Sequence, residues 1–77
     1  MQRVIKQETI GANESIYVCL EAFIRWNQDG TASEVYKVST NHKCGDYYRT
    51  DKEQTYIDPK KARATYSRYL REAKKGV

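Results

Sequence analysis

The chain has 77 residues, 39% hydrophobic and 31% charged, with one proline and four glycines. That length allows one domain (1–77), leaves no room for a catalytic domain beside a separate binding domain, and is too apolar for a disordered tail. The net charge of +4 is unevenly placed: residues 58–77 hold seven Lys/Arg against Asp58 and Glu72, whereas residues 1–57 hold seven against eight carboxylates.

At the N-terminus, MQRVIKQETI lacks the 7–15-residue apolar run of a signal peptide. Its RVIKQETI portion reads as an edge strand or an unpaired arm. The longest apolar stretch, IYVCL, is too short to cross a bilayer. The expectation is a soluble, cytoplasmic protein with no membrane partner, in which Cys19 and Cys44 are free thiols by default, with a small-domain disulfide as the minority alternative.

Residues 15–26, SIYVCLEAFIRW, are apolar at every even position: Ile16, Val18, Leu20, Ala22, Ile24 and Trp26. A helical stripe through Ile16, Leu20, Phe23 and Ile24 is also present. The alternation, the β-branched start and the following NQDG favour a strand entering a hairpin. Asp29-Gly30 suits a type I′ turn, whose two central residues need φ > 0. If the even positions face a helix, Tyr17, Phe23 and Arg25 lie on the opposite face.

TASEVYKVST (31–40) reads as the return strand, anchored by Val35, Tyr36 and Val38. In NHKCGDYYR (41–49), Asn41, Gly45 and Asp46 are turn formers, and a short strand around Asp46–Thr50 adds to the sheet. DKEQT (51–55) reads as a polar connection.

The C-terminal segment has the complete signature of a helix over 59–75. Asp58 is a good N-cap, Pro59 falls at N1, and Ile57 and Ala62 are spaced for a hydrophobic staple. Ala62, Tyr66, Tyr69, Leu70 and Ala73 share one helical face. Lys74 and Lys75 suit the negative end of the dipole, and Gly76 ends the helix. The expected fold is α+β: an antiparallel sheet of three to four strands within residues 1–50, with the C-terminal helix packed on one face.

Candidate chemistry concentrates in three places. His42, Cys44, Asp46 and a distant Cys19 would supply four zinc donors, but the paired Cys/His spacing of structural zinc sites is missing, so no metal is expected. A Cys44–His42 nucleophile would need a cleft and an orienting third group that a short chain hardly supplies. Glycine-rich phosphate loops and hydrolase or metalloprotease motifs are also absent, so the expectation is a non-enzyme without cofactors.

The second place is the basic helix, where Lys60, Lys61, Arg63, Arg68, Arg71, Lys74 and Lys75 must face solvent if the apolar face meets the sheet. Such a face neutralises phosphates, or it keeps a small protein soluble. The third is an aromatic and arginine set, Tyr17, Phe23, Arg25, Tyr47, Tyr48 and Arg49, suited to base stacking or to a protein interface. Two functions follow as expectations: nucleic-acid binding through the helix, or a phage- or mobile-element-type inhibitor or adaptor. The latter would block an acidic or nucleic-acid-binding protein through its aromatic sheet face. Self-association as a homodimer through an edge strand suits either.

Overall fold

The computed structural model describes residues 2–76; Met1 and Val77, the ends of the expected 1–77 domain, lie outside them. Four strands, β1 (Gln2–Ile10), β2 (Ile16–Trp26), β3 (Ala32–Cys44) and β4 (Tyr47–Tyr56), precede one helix, α1 (Pro59–Lys75). The strands form a single antiparallel sheet in the order β1-β2-β3-β4, so the sequence neighbours are also spatial neighbours. The fold is a small α+β domain with α1 across one face.

The two faces follow from period two. Val18, Leu20 and Val38 point toward α1 and form the core with Ala62, Tyr66, Tyr69 and Ala73; Ile5, Ile10, Ile16, Tyr36, Tyr56 and Leu70 pack around it. RVIKQETI is the edge strand rather than an arm, and a bulge between Val4 and Lys6 lets Ile5 reach the core. Asp58 accepts from Lys60 N at 2.9 Å, and Gly76 N donates back to the Ala73 and Glu72 carbonyls, so α1 starts and stops where its caps lie. Thr65 Oγ1 donates to Tyr56 Oη at 2.8 Å, tying the buried side of the helix to β4.

Three expectations are corrected. First, NHKC is strand, not loop: β3 runs on to Cys44, and only Gly45 and Asp46 turn the chain, with φ 64 at Gly45. Asn41 is buried in the sheet, donating to Ser39 Oγ at 3.1 Å and accepting from Thr50 Oγ1 at 2.8 Å. Second, DKEQT is not a connection but the middle of β4, so the sheet extends through Tyr56 instead of ending near residue 50. As an edge strand exposed along most of its length, with only Lys52 and Tyr56 half-buried, β4 needs no apolar alternation, and its register slips at Thr40/Asn41 to accommodate one extra residue.

Third, the β2–β3 turn is not type I′. Gly30 N bonds to Asn27 O at 3.1 Å and Asn27 N to Thr31 O at 2.8 Å, and only Gly30 takes a positive φ, 88°. This is the longer hairpin loop in which a single left-handed glycine restores the strand twist. Asp29 accepts from Thr31 N and Oγ1, which holds its carboxyl below the ordinary range.

Length mismatch then shapes the molecule. Thirteen residues of β3 extend about 43 Å, close to the 46 Å long axis, whereas seventeen helical residues reach only about 25 Å. The sheet therefore overhangs the helix at both ends. Ile24 and Trp26, expected beneath the helix with the other even positions of β2, are 37% and 74% exposed because the helix does not reach them.

Candidate functional site

The solvent half of α1 is set by its buried half. At about 100° per residue, the inward set Ala62, Thr65, Tyr66, Tyr69 and Ala73 leaves Lys60, Ala64, Ser67 and Arg71 pointing directly away from the sheet. Arg63 and Lys74 flank that line on one side; Lys61, Arg68 and Lys75 flank it on the other. All seven cations are exposed. Ala64 and Ser67 are the small residues in the middle, so the stripe is cationic at its ends and flanks and low at its centre.

The ion pairs separate these cations into two kinds. Arg68 Nε lies 3.9 Å from Glu72, and its guanidinium stands over the Tyr69 ring at 5.6 Å. Lys52 of β4 reaches the same Glu72 at 3.1 Å and covers Tyr69 at 4.5 Å. These two cations, with Glu72, clamp the helix to β4. Among the described residues, Lys60, Lys61, Arg63, Arg71, Lys74 and Lys75 enter no ion pair. Apart from Glu72, held by Lys52 and Arg68, the outward surface of the helix carries one sign; at its N-terminus Arg3 of β1, paired with Glu34 at 3.1 Å, lines a cleft of 190 Å³ with Tyr36, Pro59 and Arg63.

The aromatic and arginine set does not form one patch. Tyr17, Phe23, Arg25 and Tyr48 lie on the face away from the helix; Tyr47 and Arg49, pairing with Cys44 and His42, fall on the helix side beyond its C-terminal end. Tyr17 and Tyr48 meet edge to face with centroids 4.7 Å apart. The Tyr48 hydroxyl donates to the Glu14 carbonyl at 2.7 Å, and burial raises the Tyr17 hydroxyl pKa. Much of this aromatic surface is therefore engaged in holding the open face together. Charges of both signs, Glu21, Lys37 and Glu53, share that face, with Lys37 and Glu53 3.9 Å apart.

The histidine–cysteine segment is split as well. His42 and Cys44 lie on the helix side of β3, while Cys19 lies on the opposite face of β2, 3% exposed. The carboxylate beside His42 is Asp51, 3.6 Å from Nε2, not Asp46. Among the described residues no three His, Cys, Asp or Glu side chains converge as metal ligands. Both cysteines are free; five residues of strand separate their positions, about 16 Å along the sheet, well beyond disulfide reach.

Trp26 is the surface residue that sequence reasoning placed elsewhere. Perfect alternation assigned it to the core side, which is correct for direction, but alternation carries no information on where the covering helix ends. Among the described residues no helix is long and apolar enough to cross a membrane. Compared with known proteins, the chain matches no family model, no curated protein and no solved structure.

Proposed function

We propose that this protein is a small non-enzymatic binding protein that engages nucleic acid through the solvent half of α1. The observation that carries this reading is the one-signed helix surface: six exposed cations that enter no ion pair among the described residues. A face kept only for solubility mixes both signs, whereas phosphate binding uses unpaired Lys and Arg whose bound counterions are released. The small residues Ala64 and Ser67 let a sugar–phosphate backbone approach the helix between those cations. Contacts of this type set position and affinity and do not read bases.

The triple replacement Arg63→Gln, Arg71→Gln and Lys74→Gln tests it. Removing three phosphate contacts should flatten the slope of log affinity against log salt by about 2.7 on duplex DNA. All three side chains point outward, so circular dichroism and melting should stay close to wild type. An unchanged slope and affinity would contradict the proposal.

A second reading, a protein-binding inhibitor or adaptor acting through the open face, is favoured by the absence of any layer over that face among the described residues. It expects Tyr17→Ala or Phe23→Ala to weaken partner binding more than any single lysine change. Partner binding that survives both substitutions rules it out.

A further inference from the structure

The β2–β3 hairpin outruns every element around it. Among the described residues, β1 pairing runs to Gln2 opposite Phe23 and β4 pairing to Tyr56 opposite Tyr36, so residues 24–34 continue as a two-stranded ribbon. By parity with Leu20 and Ala22, the ribbon presents Ile24 and Trp26 on the side that carries α1. Trp26 is three-quarters exposed, opposite the small Ala32.

Two residues back along the same side of the ribbon, Ile24 lies beside an ion pair, Arg3 with Glu34. Arg3 lines a small cleft with Ala22, Ile24 and Glu34, and lines the adjoining cleft with Pro59 and Arg63 at the start of the helix. Ile24 and Arg3 thus connect the ribbon to the basic end of α1. The carboxylates nearby are already engaged: Glu34 accepts from Arg3 at 3.1 Å and from the Tyr36 hydroxyl at 2.6 Å, and Asp29 is held by Thr31 in the turn. A flat aromatic face on a ribbon that leads, through the Arg3–Glu34 pair, to the unpaired Lys60 and Arg63 matches a ligand that offers a π-face and anions along one backbone.

Resting on the nucleic-acid reading above, we propose that Trp26 stacks on an unpaired base of single-stranded nucleic acid while Arg3, Lys60 and Arg63 hold the adjoining phosphates. A duplex interior offers no free base face, whereas every base of a single strand does, so the preference is for single strands without base specificity. The helix alone would not discriminate between the two forms.

Trp26 is the chain's single tryptophan, so its fluorescence reports on the site directly. The experiment titrates the full chain at low salt with a dye-labelled single-stranded dodecamer and with a blunt duplex, reading anisotropy and tryptophan emission together. Expected are quenching that shares its midpoint with the anisotropy rise on the single strand, and weaker quenching on the duplex. Trp26→Ala should weaken single-strand binding by about 5- to 150-fold, and Trp26→Phe should retain most of it. Circular dichroism should show both variants folded, since the indole packs outside the core.

If wild type binds by anisotropy with unchanged emission, and Trp26→Ala binds equally well, the stacking site is overturned and the helix reading stands. If neither strand form binds wild type at low salt, both fall. A protein-concentration-dependent emission shift without oligonucleotide, accompanied by dimers in sedimentation, would instead assign Trp26 to contact between copies and overturn the proposal.

Discussion

Tyr48 and Cys19 show what individual side chains do on the uncovered face of the sheet. The Tyr48 hydroxyl fastens the Glu14 carbonyl, and Glu14 and Asn13 sit at φ 54 and 58, a left-handed conformation that non-glycine residues adopt at a cost. Tyr48→Phe should keep the ring pair with Tyr17 and lose about 1 kcal/mol of stability, with faster hydrogen exchange around the β1–β2 connection. An unchanged melting curve would show that the connection holds itself. Cys19 makes a pH prediction: burial, reinforced by the Glu21 charge, pushes its thiol up to about 12. The folded state then keeps the proton where the unfolded chain loses it, so this contribution is intact below about pH 8.5 and declines as pH rises toward 12. Urea midpoints should fall across that window, less so in Cys19→Ala, and a thiol reagent at neutral pH should label Cys44 well before Cys19. Equal labelling rates would contradict the burial assigned to Cys19.

At the scale of elements, the helix depends on the sheet more than on its own caps. Leu20 is fully buried between sheet and helix, and Leu20→Ala should cost about 2–5 kcal/mol, a large share of the roughly 4–11 kcal/mol expected for this length. Asp58→Ala removes only the cap bond and should cost about 1 kcal/mol. Denaturant melts of the two variants check the ranking; equal losses would place the helix's stability in its cap. The same contrast explains what could be read from the residues beforehand. The helix was legible to its ends because Asp58, Pro59 and Gly76 act on neighbouring backbone, and β2 was legible because both faces of its first half are set by burial. β4 was not, because YYRTDKEQTY is an edge strand whose pairing comes from β3 and not from its own pattern. Asn41 was misread for a related reason: its buried amide is satisfied by Ser39 and Thr50, partners that only the folded register supplies.

For the whole molecule, two simple quantities organise the functional reading. Strands rise about 3.3 Å per residue and helices about 1.5 Å, so α1 spans little more than half of the molecule's 46 Å long axis and leaves the Trp26 ribbon uncovered. The other quantity is charge: the C-terminal twenty residues carry the positive excess, and the fold turns that excess outward on one side. The cation side of the candidate site was therefore legible from helical periodicity, while its aromatic end depended on where two unequal elements stop. The most direct test of the central claim is the salt dependence of oligonucleotide binding by the intact protein. With about five phosphates neutralised, affinity for duplex DNA should fall several hundred-fold between 50 and 200 mM salt. Binding that is absent at 50 mM salt, or indifferent to salt across that range, would contradict it.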